Sequence, residues 1–387
     1  MAWDGGGSLA EQFASARATV VRMFPSLPRP GRTYQGFVKA MKVWGTLLRE
    51  RLAAHLRDQM RRMDSCWTVM DIPAFAVDGS RVECPRTAAN QKHLRCAGRR
   101  KTAPQLSLTT IYHMGSGCPW DYRIGPGVEN ERTHLRAMLA ALPEGATIVA
   151  DAGFTGHDLL REILQSNRHV LFRVGSNVRL LQKLGYARVE DDSTVYLWPE
   201  AAQAKDKEPL VLRLMVLPGR HPVYLVTDRL CEESLSLEQA GVLYRMRWGV
   251  EVFYRSLKQT LHQRTMRSRS PGQARRELSW AVTGLWVLSL AGAQAVVARG
   301  KTPGNLSIAT ARKLVRQAMA GRCRPRADLR KQLATALKDS YVRTGSKAAR
   351  NWPHKKNERH AGAPKFQVAE PWQVQHAKEL LERNSAA

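Results

Sequence analysis

Between residues 66 and 174 the chain changes its hydrophobic period in a fixed order, and that order limits the folds open to it. Three extended patterns come first: MDIPAFAVDGSRVE, PQLSLTTIYHMGSG and, after a glycine-rich turn, CPWDYRIGPG. Helical and extended patterns then alternate as ERTHLRAMLAAL (131–142), TIVADAGF (147–154), HDLLREILQSN and HVLFRV (169–174). Consecutive strands joined by short turns suit an antiparallel meander, whereas strand–helix–strand units suit parallel crossovers. A core that holds both is an α/β fold with mixed strand directions.

Around this core the texture differs. Residues 1–65 read as helical, with Phe37, Met41, Trp44, Leu48, Leu52 and Leu56 at helical spacing. Arg49, Arg51, Arg57, Arg61 and Arg62 decorate that helix, either as DNA contacts or as a solvated face. Residues 175–230 break the alternation with the β-like runs VYLWPE, PLVLRLMVLP and HPVYLVTDRL, expected to form a β-rich insertion. SLSLEQAGVLYRMRWGVEVFYRSLKQTL then reads as one long helix. The stretch LSWAVTGLWVLSLAGAQAVVA (278–298) is long enough to span a bilayer. Ser279, Thr283, Ser289 and Gln294 interrupt it, so it is read as a buried core helix. From residue 301 the chain is basic and partly helical, with Arg312, Lys313, Arg322, Arg324, Arg326, Lys355 and Lys356. The expected regions are 1–65, 66–300 interrupted by 175–230, and 301–387.

Composition enters through charge. Sixty-one Lys and Arg against 33 Asp and Glu leave a formal net charge of +28. Such an excess points to a polyanionic partner, of which nucleic acid is the commonest. No segment confines its basic residues to one amphipathic face, which weighs against a membrane surface. The connection CPRTAANQKHLRCAGRRKTAPQ, with Arg95, Arg99, Arg100 and Lys101, reads either as a DNA track or as a solvated loop. Six cysteines lie scattered without a C-x-x-C pair, which excludes zinc-finger spacing and suits reduced thiols in the cytoplasm. MAWDGGGSLAEQ has no basic-then-apolar signal pattern.

Two aspartates stand out. Asp78 in AFAVDGS and Asp151 in TIVADAGF each close an apolar strand and precede a glycine-containing turn. Either could be a turn residue held by backbone N–H groups. Together with an acid on a packed helix they would instead make a cage of hard oxygen ligands, suited to Mg²⁺ or Mn²⁺ rather than zinc. Asp228 in YLVTDRL and Asp71 in VMDIP compete for these roles, but Asp228 follows the expected insertion and lacks a following glycine, and Ile72-Pro73 after Asp71 suggests that it precedes the strand. The helix YRMRWGVEVFYRSLK (244–258) offers the third acid. At about 100° per residue, Tyr244, Arg247, Glu251, Arg255 and Lys258 share a wedge of roughly 80°. A solvated face laced with ion pairs would look the same.

The spacing Y-x2-R-x3-E-x6-K of Tyr244, Arg247, Glu251 and Lys258 resembles the signature of the IS-four group of DDE transposases, which includes the Tn-five transposase. The upstream V-D-G and A-D-A-G-F strengthen the likeness, which covers roughly residues 66–300. The resemblance implies a ribonuclease-H-like mixed sheet with a β-rich insertion between the second Asp and the Glu. It implies that Asp78, Asp151 and Glu251 form a metal-binding DDE triad, with two Mg²⁺ or Mn²⁺ ions. It implies that Tyr244, Arg247 and Lys258 hold DNA phosphates, joined by Arg255 on the same face and by Arg173 in LFRVGS. The family also holds a displaced base with an aromatic of its insertion; Trp198 is the sole tryptophan in 175–230, and its surroundings do not match that pattern.

The expected activity is therefore cutting of double-stranded DNA at insertion-sequence ends and joining of the freed 3′ hydroxyl to a target, by a homodimer on DNA in the bacterial cytoplasm. A catalytically silent DNA-binding descendant and a ribonuclease-H-like nuclease without strand transfer are the alternatives.

Overall fold

The computed structural model describes residues 1–3, 7–97, 103–321, 326–339 and 362–385. Helices α1 (Leu9–Met23) and α2 (Tyr34–Arg61) precede strand β1 (Ala74–Glu83) and helix α3 (Ala88–Leu94). Strands β2 (Gln105–His113) and β3 (Cys118–Pro126) lead to α4 (Glu131–Arg136), β4 (Thr147–Ala150), α5 (His157–Gln165) and β5 (His169–Val174). Next come β6 (Arg179–Gln182), β7 (Thr194–Leu197), α6 (Glu200–Gln203), β8 (Leu210–Leu217) and β9 (Val223–Thr227). Helices α7 (Leu237–Met246), α8 (Gly249–Arg255), α9 (Pro271–Val297), α10 (Ile308–Met319) and α11 (Arg326–Leu333) follow, and β10 (Lys365–Val368) and α12 (Pro371–Ser385) close the chain. The fold is mixed α/β, with both parallel and antiparallel strand pairs.

The elements divide into two units: Met1–Ala141 with Arg247–Lys338, and Leu142–Met246 with Asp339–Ala387. In the first unit β1, β2 and β3 form an antiparallel meander, with Asp78 opposite Thr110. Phe75, Leu106, Ile111 and Trp120 are buried on it. Helix α9 packs against α2, β3 and α10. It is long and apolar enough to cross a membrane, and two thirds of its apolar window is buried within the protein. Its interrupting hydroxyls have a use: the Tyr122 hydroxyl bonds to the Ser279 carbonyl and to Thr283 Oγ1, at 2.9 and 2.8 Å. The Trp286 indole N–H points at Met60 Sδ on α2, 3.3 Å away.

That packing also consumes basic side chains of α2. Arg57 donates to the Trp120 carbonyl, the Arg61 guanidinium lies 5.1 Å from the centroid of the Trp120 ring, and Arg49 lies 5.7 Å from that of Tyr122. Arg62 pairs with Asp58 at 2.9 Å. These arginines dock or brace the helix. Cations whose stems lie on aromatic faces cover apolar surface as well as carrying charge.

In the second unit β4 and β5 run parallel, joined by α5, as the βαβ pattern requires. Residues 175–230, expected as a β-rich insertion, carry β6–β9, and these strands extend the sheet of β4 and β5. Strand β9 pairs antiparallel with β5, β8 with β9, β7 with β8 and β6 with β7, and β10 adds parallel to β6. Trp198 lies in the core of this unit, 2% exposed, with its indole N–H on the Lys207 carbonyl. A side chain so placed has no face to offer a displaced base. Asp228 is occupied as a brace: it accepts from the Val170 amide at 2.8 Å and pairs with His169 Nδ1 at 2.7 Å. Asp71 is exposed, with a positive φ of 66°, in the tight turn before β1. Arg99, Arg100, Lys101, Arg322, Arg324, Lys355 and Lys356 lie outside the described residues.

Candidate active site

Asp78 does not end its strand. The ladder to β2 runs on to Glu83 opposite Gln105, so Asp78 sits mid-strand, where the burial pattern changes from fully buried to half-buried. The polar run DGSR suggested an end; the backbone bonds, which do not depend on side-chain polarity, carry the strand through it. This anchors the carboxylate on both sides. Gly79 N donates to Asp78 Oδ1 at 2.8 Å. Burial pushes the Asp78 carboxyl up to about 6; the Gly79 amide and Arg247 act against that rise, and Glu251 and Glu131 add to it.

The expected continuous helix over 244–258 is broken. Helix α7 ends at Met246 and α8 begins at Gly249, with a turn at Arg247 and Trp248. The angular reckoning that started from Tyr244 therefore does not carry to Glu251. From Glu251 onward, α8 runs into a π-helical turn, Ser256–Thr260, closed by Leu261 N donating to the Ser256 carbonyl at 2.9 Å. Single π turns recur at functional positions in helices.

Three contacts seat α8 on the meander of the first unit. At its start, Gly249 meets the Tyr112 ring so closely that a Cβ there would lie 2.8 Å from the ring. One turn past Glu251, the Tyr254 hydroxyl donates to the carbonyl of Asp78 itself at 2.7 Å. In the π turn, Lys258 Nζ donates to Ser80 Oγ at 2.8 Å. Tyr254 is buried, and burial first, then the Asp78 charge, raise its phenol well above the ordinary value, so the hydroxyl remains a donor. Burial and Arg264 lower the Lys258 ammonium, while Asp78 and Glu83 oppose them.

Arg247, expected as a phosphate contact, is 8% exposed and pairs with Glu251, Nη2 to Oε1 at 3.3 Å. Its position offsets carboxylate charge. Arg255 is exposed on α8. Glu131, at the first turn of α4, brings its carboxylate over Gly79, where an added Cβ would meet it. The first unit thus holds Asp78, Glu251, Glu131, Arg247, Tyr254 and Lys258 in one electrostatic neighbourhood. Glu131, Tyr254, Ser80 and Gly249 carry no sequence signal for this. Only the glycine marks a close approach, and only in hindsight.

Asp151, Tyr244 and Arg173 belong to the second unit. Asp151 directly follows β4 and caps the 3₁₀ turn Ala152–Phe154, accepting from Ala152 N at 2.7 Å. Tyr244 is half-buried on α7. Arg173 is half-buried on β5, where its carbonyl accepts from Thr155 Oγ1 at 2.9 Å. Among the described residues no preassembled cluster of three or more His, Cys, Asp or Glu side chains is poised to hold a metal. The donors of the first unit nonetheless fit a hard divalent ion. They are the carboxylate oxygens of Asp78, Glu251 and Glu131, hard donors of the type such an ion takes.

No curated protein matches the chain. Among solved structures, a chain of the piggyBac transposase synaptic complex with hairpin DNA, determined by cryo-EM, is similar at 12% identity with a TM-score of 0.38. The likeness covers 72% of this chain and 60% of that one. The family described as Transposase DDE domain matches residues 70–287, more than half of the sequence and the whole span from β1 to most of α9. The chain belongs to the DDE transposase family.

Proposed function

We propose that this protein cuts DNA at the ends of an insertion sequence and joins the freed 3′ hydroxyl to a target. In this reading it belongs to the IS-four group within the family, and Asp78, Asp151 and Glu251 hold two divalent ions, Mg²⁺ or Mn²⁺. Bound there, the ions would supply a Lewis acid for phosphoryl transfer and would lower the pKa of an attacking water. The protein's own residues have other tasks. Asp78 and Glu251 supply oxygens from a strand and a helix braced against each other. Arg247 limits the repulsion between those acids. Arg255, exposed on α8, is free to face a DNA backbone, and a guanidinium there can grip a phosphate in a bidentate fork. Tyr244, Arg173 and Lys258 are assigned to DNA by the sequence pattern; for Lys258 that role is additional to its bond with Ser80. Double-stranded DNA as partner, a homodimer on DNA and a place among the bacterial nucleoid are parts of the same proposal.

The observation that carries the reading is the buried bond from Tyr254, on the helix of the signature glutamate, to the backbone of the V-D-G aspartate 176 residues earlier. The test is nicking of duplexes carrying the flanking inverted repeats in Mg²⁺. Asp78→Asn, Asp151→Asn and Glu251→Gln should each lower nicking more than about 100-fold, the upper range for losing an outer-shell partner of a metal site. Each variant should keep the wild-type circular dichroism spectrum. Unchanged nicking in any one of them removes that residue from the triad. Joined products, as opposed to nicks alone, separate a transposase from a plain nuclease.

A further inference from the structure

We infer that Tyr254 is a positioning residue for the metal site, its hydroxyl setting the separation of the Asp78 and Glu251 carboxylates. The inference rests on the proposed function and adds to it a residue outside the four-residue signature. Tyr254 and Glu251 are three positions apart on α8, so they lie on the same side of that helix. The hydroxyl donates to the carbonyl of Asp78, at 2.7 Å, and not to a neighbour along the strand. It also lies 3.5 Å from the Leu108 carbonyl on β2. One group therefore touches the residue that carries one carboxylate while riding one turn from the other. The Tyr254 side chain is 5% exposed as a residue, so water has little access to replace the bond.

Two further contacts keep the helix from sliding about this point. Lys258 Nζ holds Ser80, two residues along β1 and on the same strand face as Asp78. Gly249 abuts the Tyr112 ring at the helix start. With both ends held, the Tyr254 bond sets the height of α8 over β1 between them, and its loss lets Glu251 shift relative to Asp78. Metal sites lose affinity when the groups that orient their ligands go, even when the ligands stay.

The test uses the full chain and Mn²⁺ alone, with free Mn²⁺ read from its electron paramagnetic resonance signal. Tyr254→Phe keeps the ring and its volume and removes only the hydroxyl. It should raise the Mn²⁺ dissociation constant about tenfold, within the range for outer-shell partners, while the metal-free variant still melts cooperatively. Asp78→Asn should abolish the same binding. A purely structural tyrosine would lower the melting temperature and leave Mn²⁺ affinity where it was. That result, with Asp78→Asn still defective, overturns the positioning role alone. If the wild-type chain takes up no Mn²⁺, or Asp78→Asn binds as well as wild type, the metal-site reading fails first and this inference falls with it.

Discussion

Asp78 shows how burial can make a single ionisable side chain cost stability. Its carboxyl is pushed up to about 6, chiefly by burial, against about 3.9 in an unfolded chain. The folded state therefore binds the proton more tightly than the unfolded one. The stabilisation is complete below the unfolded value and is lost as pH rises through the folded one. In the absence of divalent ions, unfolding free energy should fall between about pH 4 and pH 6 by roughly 1–2 kcal/mol on this account, after allowing for partial solvent screening. Asp78→Asn cannot ionise and should remove that part of the slope, leaving the variant more stable than wild type near pH 7. Urea melts of both proteins across this range check it; parallel curves would show that Asp78 does not feel its burial. The residue's type and neighbours were legible in AFAVDGS, but its mid-strand position was not. Local polarity says nothing about a ladder whose partner lies beyond an intervening helix.

At the scale of the element, α8 carries the lesson. The pattern from Ser234 to Leu261 reads as one helix because its apolar residues keep helical spacing, yet α7 and α8 are separate. The only local hint of the break is Gly249, and its reason is tertiary: α8 begins against the Tyr112 ring, where no side chain fits. Gly249→Ala would gain about 1 kcal/mol of helix propensity, and overpacking against the ring would cost about 1–3 kcal/mol. We expect a net loss of stability in urea melts. Nicking should slow by at least tenfold, because the displacement occurs two residues from Glu251. Wild-type nicking in Gly249→Ala would mean that the helix start does not set the site. Most strands and helices of the core could be read from period alone, while the candidate acids at 78, 151 and 251 came from strand-end aspartates before glycine turns and from the helix signature. The contacts that hold α8 could not, since Tyr254 and Lys258 meet β1 across more than 170 residues of chain.

For the whole molecule, charge is the dominant property. A formal +28 spread over 387 residues gives a field that attracts any polyanion, independent of sequence. The proposed DNA partner implies that this charge releases counter-ions on binding. Were six to ten phosphates neutralised, affinity for duplex DNA of arbitrary sequence should fall about 10³–10⁵-fold between roughly 50 and 200 mM salt. Fluorescence anisotropy at graded salt measures this, and a flat response would deny the charge any part in DNA binding. The net charge overstates the free cations, however. Arg49, Arg57, Arg61 and Arg62 are used to dock or brace α2, and Arg213 pairs with Glu232.

The pairing of Arg247 with Glu251 carries one more implication. The buried guanidinium holds one oxygen of the glutamate at 3.3 Å and so restricts the directions that carboxylate can take. In the proposed reading a divalent ion held by Glu251 would have to share that carboxylate with the guanidinium, so ion affinity and the Arg247 contact would be coupled.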